Sequence, residues 1–207
     1  MVTIRRPKLR ELKEAITALI KGPYTVKFPR EPSVPPEAFR GKPEYVEEYC
    51  VGCGACSQVC PARAIEVKDE ITGPRSGVRR ITLHYDHCIF CGQCQCPFSS
   101  GMGIRLTNEY DLATFDRKEA VVGVEKELVL CEYCGAVIST VDHIRWIAEG
   151  MGPKAYASLG LVLALHEGLG LVEETAPRGD IPIGRSDHVR LLCPKCRREL
   201  IVREEWG

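Results

Sequence analysis

The chain has 207 residues, with 28 Lys plus Arg against 28 Asp plus Glu and a formal net charge of zero; that balance argues against a basic nucleic-acid binder or an acidic solvating chain. Its 19 glycines and 14 prolines fall short of a low-complexity composition, and 44% hydrophobic residues are enough for a packed core. The outlier is cysteine, at 12 residues.

Cysteines in such number mean disulfides, metal sites or both. Disulfide frameworks belong to short secreted domains. Here Arg5-Arg6 is followed by an amphipathic stretch rich in Lys and Glu rather than an apolar leader, and no window holds the run of about 18 apolar residues that a membrane span needs. The expectation is a cytosolic, reduced chain whose thiolates hold metal.

Residues 1–47 contain no cysteine. Pro7 is placed to open a helix, and Leu9, Leu12, Ile16, Leu19 and Ile20 recur at three- and four-residue spacing along one face until Gly22-Pro23. The proline-rich stretch from Tyr24 to Tyr45 is expected to run extended over a surface. Residues 1–30 carry eight basic side chains against Glu11 and Glu14. That pattern suits a helix packed on its own domain, or an arm that docks on a partner or lies at a membrane surface.

Residues 48–107 hold eight cysteines in a near-repeat. Between its halves a turn at 72–77 precedes a strand from Arg80 to Tyr85. Residues 108–126 read as a polar linker. From Glu127 to the end lies a four-cysteine segment: a short strand Leu128 to Leu130, Cys131-x2-Cys134, a helical pattern on Ile138, Val141, Ile144 and Ile147, and a second helix from Pro153 to about Glu167. A Gly/Pro-rich loop from Gly168 to Asp187, a strand Val189 to Leu192, Cys193-x2-Cys196 and a last strand Leu200 to Val202 complete it.

Cys50, Cys53, Cys56 and Cys60-Pro61 fit Cys-x2-Cys-x2-Cys-x3-Cys-Pro, in which three closely spaced thiolates wrap one face of an iron–sulfur cube and the fourth serves the other cluster of a pair. The second half reads Cys88-x2-Cys91-x2-Cys94-x-Cys96-Pro97, two residues shorter before its Cys-Pro, with a correspondingly longer loop to Gly103. Cysteines two apart face nearly opposite directions on a helix, which suits one serving each cluster. A degraded second site with a three-iron cluster, or none, is the competing reading. His87, beside Cys88, is read as a surface histidine rather than a ligand.

Cys131, Cys134, Cys193 and Cys196 form two Cys-x2-Cys knuckles, whose four thiolates would make a closed tetrahedral site typical of structural zinc. Tetrahedral sulfur suits iron as well. The pattern is similar to zinc ribbons and to rubredoxin; zinc as a structural clip is favoured, with rubredoxin-like iron the alternative. The helical segment 137–187 is an insertion without an assigned role.

The doubled motif resembles the bacterial-type two-[4Fe-4S] ferredoxin. The resemblance implies an α+β fold with exchanged ligands: Cys50, Cys53, Cys56 and Cys96 on the first cluster, and Cys88, Cys91, Cys94 and Cys60 on the second. The order of amphipathic helix, proline-rich arm and doubled motif resembles the subunit-I family of NADH-quinone oxidoreductase. The stretch from Cys88, Leu106-Thr-Asn108 after it and the added Cys-x2-Cys pairs are closer still to the polyferredoxin subunits of energy-converting membrane-bound [NiFe] hydrogenases, formate hydrogenlyases and related archaeal complexes.

That resemblance implies an electron-transfer subunit, peripheral on the cytoplasmic side of the membrane. It would relay electrons from a donor such as reduced ferredoxin to a neighbouring small subunit's cluster, with a large subunit and a membrane arm that pumps ions. No phosphate-cradling, nucleophile-elbow or paired-carboxylate motif marks a catalytic site in the chain itself. A free soluble electron carrier is the alternative reading, and a zinc-ribbon nucleic-acid protein with structural clusters the next.

Overall fold

The computed structural model describes residues 8–22, 24–96, 103–169 and 182–206. The basic pair Arg5-Arg6, Pro7, Pro23, the loop 97–102 and most of the loop expected between Gly168 and Asp187 lie outside the described residues. The chain forms two compact units, residues 1–38 and 39–207.

In the first unit the apolar spacing folds as α1 (Leu9–Lys21). Glu11 accepts from the backbone N–H of Lys8 at its start, and Lys21 lies in its last turn, where the helix dipole favours a cation. Gly22 ends it in a left-handed conformation, its N–H on the Ala18 carbonyl. No residue of α1 is buried.

The second unit is built on two antiparallel pairings that nest around the cysteine repeat. Strand β1 (Pro43–Tyr45) leads into the first motif and its single helical turn α2 (Ala55–Gln58), then into β2 (Ile65–Ile71). Strand β3 (Gly77–His84) leads into the second motif, where a 3-10 turn (Gln93–Gln95) stands in place of α2, and then into β4 (Ile104–Leu106). β1 pairs with β4, and β2 with β3, so the two halves enclose each other about a pseudo-twofold axis.

The β2–β3 hairpin is extended by β5 (Val121–Leu130) and β6 (Val137–Thr140) into a sheet of order β2-β3-β5-β6. The sequence places residues 121–126 in a linker and starts the strand at Leu128; the strand is ten residues long. Alternation explains it: Val122, Val124 and Leu128 face inward while Glu125 and Glu127 face out. On the outer face Arg80 bonds both Glu70 and Glu125 across the strands.

Further on, the helical spacing of Ile138 to Ile147 divides. Residues 137–140 pair with β5, and the helix α3 (Val141–Met151) begins only where the Thr140 hydroxyl caps it through the His143 N–H. The second expected helix splits into a 3-10 segment (Gly152–Ala157) and α4 (Leu159–Gly168). Val189 to Leu192 is not a strand: a 3-10 turn (Arg185–Val189) runs into a loop. Leu200 to Val202 lies within α5 (Pro194–Trp206). A short apolar run does not distinguish helix from strand, and here only Leu200 is buried whereas Ile201 and Val202 are exposed.

Two cores result. One gathers Ala64, Ile65, Ile81, Leu83, Ile104 and Val124, with Cys50, Cys56, Cys60, Cys88 and Cys94 packed against it. Full burial of Ile81 and Leu83 contributes about 1.5–3 kcal/mol each. The other gathers Ile183, Leu192 and Leu200 around Cys131, Cys193 and Cys196.

Gly41 extends the β1–β4 ribbon by donating to the Thr107 carbonyl. A Cβ there would run into the Glu109 carbonyl oxygen, part of the backbone, which cannot give way as a side chain could. Gly41→Ala is therefore expected to destabilise the protein by about 1–3 kcal/mol, read as an earlier unfolding midpoint; an unchanged midpoint would contradict the packing described.

Candidate iron–sulfur and metal centres

The two cysteine motifs repeat in backbone conformation as well as in sequence. Gly52 and Gly54 take φ of 70° and 74°, and the corresponding Phe90 and Gly92 take 52° and 78°. Left-handed backbone on either side of the second cysteine turns each loop tightly. Phe90 holds this conformation without glycine's freedom, at a cost on the order of 1–2 kcal/mol.

Cys50, Cys53 and Cys56 line a half-open cavity, completed by Tyr45, Ile81, Ile104 and, from the second motif, Cys94 and Cys96. Burial pushes the Cys56 thiol up to about 12, with Cys50 and Cys53 adding to the effect. Burial likewise raises Cys94 to about 11, followed by the influence of Cys88, Cys91 and Cys60. Cys88 is raised by burial, and then by Cys60 and Cys91. Cys60, Cys88, Cys91 and Cys94 thus form a second group. Cys94 also bears on Cys56, so the groups adjoin. Cys96 is exposed at the rim of the first cavity.

Backbone amides approach the thiols. The Ala64 N–H donates to Cys60 Sγ at 3.3 Å and the Phe90 N–H to Cys88 Sγ at 3.4 Å. The Tyr45 hydroxyl is buried beside the thiols of Cys56 and Cys50, with Cys56 within its reach but no hydrogen bond of ordinary geometry to satisfy it. Buried hydroxyls rarely go unsatisfied. A sulfur-rich anion in the cavity would accept from it, and eight thiols in two adjoining groups are the donor set that two [4Fe-4S] clusters require.

Sequence reasoning missed the side chains that hold the first loop. Arg79 on β3 donates to the Gly52 carbonyl at 3.0 Å and makes two 2.7 Å bonds to Asp69. Lys126 on β5 donates to the Glu47 carbonyl and to Asp142, both at 2.9 Å. The fully buried Thr140, the last residue of β6, donates to the Val51 carbonyl at 2.5 Å. The only available signal was a charge at strand spacing, which reads equally as a solvated face. On the second loop, the exposed Arg40 reaches the Cys91 carbonyl at 3.2 Å.

The C-terminal four-cysteine site is assembled from the end of β5 and the start of α5. The thiol sulfurs of Cys131, Cys134, Cys193 and Cys196 all lie within 4.8 Å of one another. Cys134 and Cys193 are 3.7 Å apart, close to the edge of about 3.8 Å of a tetrahedron with metal–sulfur bonds of about 2.3 Å. Burial opposes ionisation of Cys193. Hydrogen bonds from the Cys196 backbone and from the neighbouring thiols outweigh it and bring Cys193 down to about 7, while burial raises Cys196. The Cys193 N–H donates to Cys131 Sγ.

The first knuckle is tied in place through Glu132. Its backbone N–H donates to the Leu191 carbonyl and its carboxylate accepts from the Leu191 N–H. Glu132 also meets Arg190 and the buried Arg75 from the β2–β3 turn. The second knuckle starts a helix rather than joining two strands.

The nested strands and their paired thiol groups define an iron–sulfur protein of the dicluster ferredoxin class, and residues 49–100 match the 4Fe-4S dicluster domain family. NADH-quinone oxidoreductase subunit I 2 of Geobacter metallireducens is 31% identical over 129 residues, covering 59% of this chain and 96% of that protein. The chain belongs to the NADH-quinone oxidoreductase subunit I family. NAD(P)H-quinone oxidoreductase subunit I of Gloeobacter violaceus is 34% identical over 103 residues, 48% of each chain, so this chain spans about half of that relative's length. Formate hydrogenlyase subunit 6 of Escherichia coli is 33% identical over 125 residues, covering 59% of this chain and 67% of that one. Among the described residues no helix is long and apolar enough to cross a membrane.

Proposed function

We propose that the chain is the electron-relay subunit of a membrane-associated respiratory complex, of the complex I or membrane-bound hydrogenase type. In this reading Cys50, Cys53, Cys56 and Cys96 hold one [4Fe-4S] cluster, and Cys88, Cys91, Cys94 and Cys60 hold the other. Bound there, each cluster supplies one-electron redox chemistry and no more. The observation that carries the reading is the adjacency of the two thiol groups on one core, with Cys94 bearing on Cys56: centres held there lie close enough to pass an electron between them. The membership of the family supports the same conclusion.

The complex would place the subunit peripherally on the cytoplasmic side, between a donor such as reduced ferredoxin and a small subunit's cluster, with a large subunit and an ion-pumping membrane arm completing the assembly. The exposed apolar face of α1 and its basic neighbours suit docking on those partners. Cys131, Cys134, Cys193 and Cys196 hold a structural zinc ion; three of the four are buried, and the tetrahedral spacing fits a closed site.

Mixing the purified complex with the reduced donor and freeze-quenching it for EPR tests the relay. Both reduced-cluster signals are expected within one turnover time. Signals that appear only long after product has formed would exclude these clusters from the electron path.

A further inference from the structure

We propose that Arg79 and Lys126 hold the first cluster site, that of Cys50, Cys53 and Cys56, at a higher reduction potential than the second, so that the first is the downhill end of the pair. The proposal rests on the two-cluster reading above.

Both cations project from the sheet onto one side of a single loop, 47–53. Arg79 Nη1 bonds the Gly52 carbonyl, and Lys126 Nζ the Glu47 carbonyl. A Cβ on Gly52 would lie 3.0 Å from the Lys126 side chain and 2.9 Å from that of Thr140, so the sheet covers the loop closely at Val51 and Gly52, which are buried. The Arg79 and Lys126 side chains are 16% and 10% exposed. Charges so enclosed are poorly screened.

Each cation has a carboxylate behind it, Asp69 for Arg79 and Asp142 for Lys126. Arg79 lies between Asp69 and the loop carbonyl, with Nη1 on Gly52, next to Cys53. Burial raises the Cys50 thiol, and Lys126 opposes that rise more than Asp142 adds to it. On the second loop the cation among the hydrogen bonds described is the exposed Arg40. Positive charge beside a cluster stabilises its reduced, more negative state. An electron that leaves the second site therefore enters the first downhill, one electron lost and one gained.

Potentiometric EPR titration of the purified complex tests this. Arg79→Gln and Lys126→Met are each expected to lower the first cluster's reduction equilibrium constant by about threefold to tenfold, tenfold being about 59 mV for a one-electron couple. The second cluster should stay within about twofold. Asp69→Asn removes the opposing charge and is expected to shift the first cluster the other way, and Arg79→Lys to restore it. Shifts in the same direction for Arg79→Gln and Asp69→Asn, or equal shifts in both clusters, would overturn the proposal. Loss of one cluster from well-folded wild-type complex would instead remove the two-cluster reading itself, and this proposal with it.

Discussion

Replacing Cys53 by serine is expected to cut electron transfer through the complex by at least about 100-fold, since loss of an outer-shell partner alone commonly costs about 10–100-fold. Cys53 sits between two left-handed glycines in a loop pinned by Arg79, Lys126 and Thr140. The shorter, harder serine oxygen cannot take its place without moving that loop. The first cluster's reduced signal should vanish or change form while the second persists, and Cys91→Ser should do the reverse. Turnover at the wild-type rate in the assembled Cys53→Ser complex would contradict the relay.

Replacing Cys131 by serine should have a different outcome. This thiol is fully buried, in a core formed by Ile183, Leu192, Leu200 and two other cysteines. With so few apolar side chains, that core would depend on the proposed zinc, and structural zinc contributes on the order of 10 kcal/mol to the folding of small domains. Loss of the zinc is expected, with proteolysis in α5 at least about tenfold faster as the region opens locally. Both cluster signals should remain, because the first core is built from other residues. Disappearance of a cluster signal in Cys131→Ser would show that the two centres are not independent.

The cysteine motifs were legible in the sequence because ligand spacing is itself the information: thiols two residues apart can converge only on a tight loop. α1 was legible from its spacing and from Gly22. The sheet that carries the first loop was not. β5 contains Gly123 and alternating charges and pairs with β3 some 40 residues earlier, a long-range pairing that no local pattern announces. Its inward residues are recognisable only once Ile81 and Leu83 are known to face them. The C-terminal ligands were legible but their setting was not. Leu200 to Val202 reads as a strand, but it lies in a helix whose Leu200 packs in the core with Cys131, Cys193 and Cys196. Arg79 and Lys126 gave only a charge at strand spacing and Thr140 gave no signal, since polar residues on strands ordinarily face water.

Iron, acid-labile sulfide and zinc counted per chain, on protein purified without oxygen and examined by EPR after reduction, test the central claim most directly. Two clusters and a zinc clip predict about eight iron, eight sulfide and one zinc, with interacting reduced-cluster signals. About four iron or fewer on intact protein would contradict the relay, since the shortened second motif would then hold no cluster to pass an electron on.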